Sequence, residues 1–135
     1  MPFGGSILAA DMARLFTGVP RTPYMQFVLR AGAEAERRLP AIVHRDGSSR
    51  LQSVDDATGS PWLRAMLAEF GALSGVGAVL NTSLNGPGEP IVETPEEAIR
   101  LVGTGVVDCL VVGDAMVTPR DSPAPQALLQ SATAR

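Results

Sequence analysis

The chain has 135 residues, of which 11 are basic and 14 acidic, and its formal net charge is -3. This length fits one domain with a single core, while the net negative charge disfavours nucleic acid and anionic membranes as partners. Every basic residue is an arginine, so an anion would be bound by guanidinium groups, and Schiff-base chemistry on lysine is excluded.

The first 40 residues predict one strand between two less regular stretches. Residues 1–22 form a leading segment with a short helix at 11–16. Side chains then alternate over residues 23–30, with aromatic and β-branched residues among them, which predicts a strand. Residues 31–40 are interpreted as a polar connection.

The Asp46-Gly47 dipeptide is a strong hairpin signal. It lies between two short strand-like runs, so we predict paired strands at about 40–45 and 49–54. Asp46 suits the turn because aspartate tolerates left-handed backbone geometry. Close to its mouth, this hairpin would bring together three polar side chains: His44, Arg45 and Arg50.

Two helices are predicted from their start signals. Ser60 and Pro61 precede apolar residues at helical spacing that continue to Gly75. Thr94 and Pro95 precede a second such pattern, with acidic residues in its first turn, where the helix dipole favours them.

Three further strands are predicted in the second half of the chain. A continuous apolar run at 76–80 and another at 106–114 indicate buried strands, and residues 115–119 indicate an edge strand. The alternation of strands and helices predicts an α/β (α+β) fold, a single domain at 1–119 with helices packed on a twisted mixed sheet. Residues 120–135 are rich in Pro, Ala and Ser and predict a disordered tail.

Polar side chains follow the strand at 76–80 in one short loop, which ends in Gly86, Pro87 and Gly88. The two glycines would let the backbone approach a ligand closely, and the side chains offer neutral donors and acceptors. Such loops bind ligands at the strand ends of open α/β sheets. We therefore predict a polar small-molecule pocket that includes Asn81, Thr82, Ser83 and Asn85.

The single cysteine, Cys109, cannot form an internal disulfide, and its apolar neighbours predict a core position. Trp62, at helical spacing with other apolar residues, is also predicted to be core. No apolar run reaches the roughly 18 residues of a membrane span, and the N-terminus lacks a signal-peptide pattern. We expect a cytoplasmic protein. No cluster of residues has the spacing of metal ligands.

Three stretches together resemble the C-terminal part of the NodU/CmcH-type O-carbamoyltransferases: "LPAIVHRDGSSRLQSVDD", "NTSLNGPGEPIVETPEEA" and "GVVDCLVVGDAMV". The resemblance covers roughly residues 20–118, and the second stretch is long enough to be specific. It implies a YrdC-like fold that activates carbamoyl phosphate with ATP to a carbamoyl-adenylate. In that family a separate N-terminal domain passes the carbamoyl group to a hydroxyl or amine of a natural product.

The resemblance also suggests roles for individual residues. It implies His44 and Glu89 as catalytic acid and base, although His44 could instead close the hairpin and Glu89 could cap the following segment. It implies Arg50 as an anion-binding residue rather than a surface ion pair. The implied substrate-binding set is Arg45, Arg50, Asn81, Thr82, Ser83 and Asn85.

Two arginines of the family pattern are missing here, one at the position of Pro87 and one in a segment of the form "EFGPRALG". Phosphoryl and adenylyl chemistry depends on cationic stabilisation, so we expect no tightly bound cofactor, with ATP and carbamoyl phosphate as possible substrates. We expect a partner protein that supplies the transfer domain, or a homo-oligomer. The alternatives are a repurposed acid–base enzyme acting on a secondary metabolite without nucleotide, and a non-catalytic binding subunit.

Overall fold

The computed structural model describes residues 3–58 and 60–120. The chain divides into two compact units, with the boundary between Thr82 and Ser83, and each unit is described by itself. Within the described residues, no helix is long and apolar enough to cross a membrane. The tail predicted at 120–135 lies, apart from its first residue, outside the described residues.

The first unit is built on a five-stranded mixed sheet with three helices, so the predicted mixed α/β fold is confirmed. The strands have the order β2-β3-β4-β1-β5, and only β1 and β4 are parallel. The strands are β1 (Gly4–Leu8), β2 (Phe16–Thr17), β3 (Val28–Ala31), β4 (Ser48–Val54) and β5 (Ala78–Asn81), and the helices are α1 (Ala9–Leu15), α2 (Ala33–Arg38) and α3 (Pro61–Ser74).

One face of this sheet carries the apolar core. Ile7, Leu29 and Leu51 project from three neighbouring strands and are at most 1% exposed. Helices α1 and α2 and the turn after α2 supply further members of this core, which include Met12, Leu15, Ala35 and Ile42. Because side chains alternate along a strand, the residues between these core positions lie on the opposite face.

The second unit is smaller and consists of α4 (Pro95–Gly103) followed by a hairpin of β6 (Leu110–Val112) and β7 (Ala115–Val117). Ala98 and Val102 of α4 pack against Leu110. Helix α4 begins with a complete capping box, in which the Thr94 hydroxyl accepts from the Glu97 amide and the Glu97 carboxylate accepts from the Thr94 amide. The predicted helix start at Thr94 is thus confirmed.

The predicted first strand of the hairpin, at 40–45, is wrong. The Leu39 carbonyl accepts hydrogen bonds from the amides of Ile42 and Val43 at 3.1 and 3.2 Å, which makes a helical turn. This turn inserts Ile42 into the core, where it is 3% exposed. The turn at Asp46-Gly47 does form, because the Gly47 amide donates to the His44 carbonyl at 2.9 Å and Gly47 has a φ of 74°.

Three elements of the first unit differ from the sequence interpretation. Residues 4–8 form β1, an interior strand of the sheet, rather than part of a leading segment, and the polar connection contains α2. The strand predicted at 23–30 is present only at its end, as β3. Helix α3 ends at Gly75, as predicted, with a φ of 83°.

Two residues predicted to be buried are exposed. Trp62 is 53% exposed, since in α3 only Leu67 is fully buried. Cys109 is also exposed; its neighbour Leu110 enters the small core of the second unit, and Val107 packs against that core.

Candidate functional site

The face of the sheet opposite the core carries a group of polar side chains, which we call the polar cluster: Ser6, Arg50, Gln52 and Asn81. The register explains their proximity, since Ser6 of β1 lies beside Gln52 of β4, and Asn81 of β5 lies beside Gly4. All four therefore project from the same face of adjacent strands. The cluster lies entirely within the first unit.

Three members of the polar cluster form a hydrogen-bonded network. The Ser6 hydroxyl donates to Gln52 Oε1 at 2.8 Å. Asn81 Nδ2 donates to Ser6 Oγ at 3.1 Å and lies 3.5 Å from Gln52 Oε1. Ser6 is 3% exposed, whereas Gln52 and Asn81 are half-buried. The network therefore holds two amide groups in fixed orientations at the surface of the sheet.

Arg50 is the charged member of the cluster, and its charge has no partner among the described residues. Its Nε is buried without a hydrogen bond to any of them. The ion pairs found in the described part of the chain use other arginines. A half-buried guanidinium without a carboxylate is costly to keep unpaired, so this position is suited to an external anion.

Met25 covers part of the polar cluster. Its Sδ lies 3.8 Å from Asn81 Nδ2, and a Cβ added to Gly4 would overlap its Cε. Among the described residues, Met25 is the only one other than glycine with a positive φ, at 57°. The thioether therefore rests over Gly4, between Arg50 on one neighbouring strand and Asn81 on the other.

His44 lies in the turn before β4, where both of its ring nitrogens have contacts. Nδ1 is 3.0 Å from Ser48 Oγ, and Nε2 is 3.3 Å from the Phe3 carbonyl oxygen. An open cavity of about 540 Å³ adjoins it, lined by Phe3, Ala41, Val43, His44, Arg45 and Asp46. The exposed Arg45 could meet a ligand there.

Asp46 serves the turn before β4. Its carboxylate accepts a hydrogen bond from the Ser48 amide at 2.9 Å. Hydrogen bonds from the Ser48 side chain and amide lower the pKa of the Asp46 carboxyl. Asp46 therefore serves the turn, as predicted, but through this side-chain hydrogen bond; the left-handed residue of the turn is Gly47.

In the second unit, polar side chains of the loop after Thr82 bond to one another and to the loop backbone. Ser83 Oγ donates to Asn85 Oδ1. Asn85 Nδ2 in turn donates to the carbonyls of Gly86 at 3.0 Å and Glu89 at 3.3 Å. These contacts fix the shape of the loop.

Glu89 is paired with an arginine of α4. Arg100 donates to both carboxylate oxygens of Glu89, at 3.2 and 2.8 Å. The Arg100 hydrogen bond lowers the pKa of Glu89, which keeps the carboxylate ionised and occupied. A general base is better left free to accept a proton, so this geometry supports a structural role for Glu89 as an ion-pair partner of α4. The cap of that helix is made by Thr94 and Glu97 instead.

The predicted site residues are therefore distributed over four places. Arg50 and Asn81 share the polar cluster, His44 and Arg45 border the open cavity, and Thr82 is the last residue of the first unit. The other predicted residues, Ser83, Asn85 and Glu89, belong to the second unit. A pocket shared by that loop and the hairpin stays a prediction.

Sequence reasoning missed Ser6, Gln52 and Met25. Gln52 carried a usable signal, since it stands two residues after Arg50 and must share its face of a strand. Ser6 carried none, because its strand was not predicted. In the part of the chain that is described, no group of three or more His, Cys, Asp or Glu side chains is placed to hold a metal ion.

The family model for the carbamoyltransferase C-terminus matches residues 1–119 of the chain. The chain belongs to this family. The resemblance predicted from the sequence is thus confirmed over nearly the whole chain, and it includes β1 with Gly4 and Ser6.

Individual relatives agree with the family match. Nodulation protein NolO of Bradyrhizobium diazoefficiens is 36% identical over 122 residues, which cover 88% of this chain and 22% of that protein. The 3'-hydroxymethylcephem-O-carbamoyltransferase of Amycolatopsis lactamdurans is 34% identical over 104 residues, which cover 77% of this chain and 19% of that protein. The chain spans about a fifth of the length of these curated relatives.

Proposed function

We propose that the chain takes part in carbamoyl transfer and that its polar cluster binds the carbamoyl donor, carbamoyl phosphate or the adenylate made from it. The acceptor would be a natural product. The observation that carries the proposal is Arg50, a half-buried cation with no partner among the described residues. Family membership supplies the chemistry to which such an anion site would belong.

The composition of the cluster suits a carbamoyl donor better than a plain anion. Arg50 offers charge-assisted hydrogen bonds to phosphate oxygens. The amide groups of Gln52 and Asn81 can both donate and accept, which matches a carbamoyl group, whose NH₂ donates and whose carbonyl accepts. A bare phosphate would use only the donors of these side chains.

The small number of cations in the cluster limits what the chain can do by itself. One arginine in the cluster offers less cationic stabilisation than adenylyl transfer commonly uses, and Pro87 has no amide hydrogen to offer a phosphate. We therefore propose that binding is the task of this chain, and that carbamoyl-adenylate formation from ATP needs a partner domain or a second copy.

Calorimetric titration with carbamoyl phosphate, with inorganic phosphate as the comparison, tests this proposal. We expect saturable binding of carbamoyl phosphate that is tighter than that of phosphate. Equal affinity would show a general anion site, and the absence of binding to carbamoyl phosphate would refute the assignment of the cluster. A pyrophosphate-release assay with ATP then tests the second part, for which we expect almost no turnover by the chain alone.

The alternative of acid–base chemistry by His44 and Glu89 receives less support. Both ring nitrogens of His44 lie within hydrogen-bonding distance of protein atoms, and Glu89 is bound by Arg100 through both oxygens. Both side chains thus have structural partners.

A further inference from the structure

We propose that Met25 is a displaceable cover of the polar cluster and that a bound donor takes the place of its thioether over Gly4. The inference rests on the proposed function, since it concerns access to the same site. It is carried by the way in which Met25 is positioned, by the weakness of its contacts with the cluster, and by the anchoring of the loop that holds it.

Gly4 provides the space in which the Met25 side chain lies. Any side chain at Gly4 would project from the face that carries Ser6 and Arg50, and its Cβ would overlap Met25 Cε and lie 2.7 Å from the Arg50 carbonyl oxygen. The sheet thus has a gap in the middle of its polar face, and Met25 fills that gap. A ligand in contact with both Arg50 and Asn81 would need the same space.

The polar contact of Met25 with the cluster is a weak one. Asn81 Nδ2 approaches the thioether sulfur at 3.8 Å, and a thioether is a poor acceptor. A carbonyl or phosphate oxygen in the same place would accept a stronger hydrogen bond from Asn81 and one from Arg50 as well. Ligand contacts therefore outweigh the contact that Met25 would give up.

The backbone of Met25 also favours release. A positive φ of 57° is unfavourable for a side chain of this size, so movement to an ordinary conformation would remove that strain. Met25 lies half-buried between the exposed Tyr24 and Gln26. Its amide donates to the Thr22 carbonyl at 3.4 Å, a long contact whose loss would cost little.

The loop is fixed on both sides of Met25, which limits the movement to a short segment. On one side, the Thr22 amide donates to Ser53 Oγ at 2.8 Å and the Ser53 amide donates to the Thr22 carbonyl at 3.0 Å. On the other side, Val28 pairs with Arg50 in the sheet. Only residues 23–27 need to move for the cluster to open.

Titration of the Met25→Ala variant with carbamoyl phosphate tests the inference, with Met116→Ala as the matched control. Met116 is an exposed methionine of β7 in the second unit. Removal of a cover that competes with the ligand should tighten binding on the order of 3- to 10-fold. The reason is that the cluster of the variant is always open, whereas that of the unchanged chain is open only part of the time. Met116→Ala should bind as the unchanged chain does.

If the unchanged chain binds carbamoyl phosphate and Met25→Ala binds it equally well or more weakly, the inference is overturned and the proposed function stays intact. No binding by the unchanged chain or by any variant would overturn both.

A second measurement uses the unchanged chain and does not depend on the folding of a variant. With ¹³C-methyl-labelled methionine, carbamoyl phosphate should shift the NMR signal of the Met25 methyl group, which would move from a site beside Gly4 into solvent. The Met12 methyl group, in the core, should keep its position. A Met25 signal that stays constant at saturating ligand would contradict displacement.

Discussion

Arg50 and Arg100 show how differently the two units use their polar residues. Arg100 has a carboxylate partner, and two hydrogen bonds to Glu89 tie α4 to the preceding loop. Arg50 has no such partner among the described residues, although its Nε is buried. The polar side chains of the second unit mainly satisfy one another, whereas those of the first leave the half-buried charge of Arg50 to be satisfied from outside. An arginine signals a binding site when its partners are missing rather than by its presence alone.

The strongest test of this difference compares Arg50→Ala with Arg100→Ala. Arg50→Ala should weaken carbamoyl phosphate binding by about 1.5–3 kcal/mol, the scale of a charge-assisted hydrogen bond, which is roughly 10- to 150-fold in affinity. Arg100→Ala should leave the affinity unchanged. Calorimetry on both variants measures this contrast, and equal losses would show that the two arginines do not differ in function.

Helix α4 offers a test in which stability changes and binding does not. Thr94→Ala removes one half of the capping box and should destabilise the helix by about 1 kcal/mol. Hydrogen exchange of the α4 amides measures the loss, since exchange should become faster there. Thr94→Ser, which keeps the hydroxyl, is the control. A loss of ligand affinity in Thr94→Ala with exchange unchanged would contradict a purely structural role for this cap.

Helix α4 could be predicted because its start signals are local. Thr94, Pro95 and Glu97 lie within four residues, and the contacts that begin the helix connect them directly. Strand β1 is different, because it becomes a strand only by pairing with β4 and β5, which are far away in the sequence. Its short sequence, GGSIL, starts with two glycines and carries little strand signal by itself.

The candidate site shows the same dependence on distance along the chain. Arg50 and Asn81 were predicted because each lies in a recognisable stretch of sequence. The bond between Ser6 and Gln52 joins residues 46 positions apart, and that between Asn81 and Ser6 joins residues 75 apart. Only the register of the sheet reveals these pairs, and the resting place of Met25 over Gly4 likewise depends on a loop whose course the sequence does not show.

A pair of serines provides a smaller test of the contrast between the units. Ser6→Ala removes the hydroxyl that links Gln52 to Asn81 and should cost about 0.5–1 kcal/mol of ligand binding, since the two amides lose their shared support. Ser83→Ala removes a hydroxyl of the loop in the second unit and should leave affinity as it was. Titration of both variants with carbamoyl phosphate measures the two effects. A larger loss of affinity in Ser83→Ala than in Ser6→Ala would contradict the role of the cluster.

The smallest expected effect concerns the pH dependence of the Glu89–Arg100 pair. The Arg100 hydrogen bond lowers the pKa of Glu89 below its ordinary value of 4.5, so the folded state binds this proton less readily than the unfolded state. The pair therefore contributes stability above pH 4.5, and this contribution is lost as the pH falls through the lowered pKa. Both side chains are about half exposed, and solvent screening keeps the effect small. At pH 7, Glu89→Gln should accordingly unfold at a slightly lower temperature than the unchanged chain. This difference in unfolding temperature should disappear as the pH falls below 4.5. A difference that persists or grows in acid would show that Glu89 stabilises the unit in some way other than as an ionised partner of Arg100, and it would reopen the question of a free carboxyl group at this position.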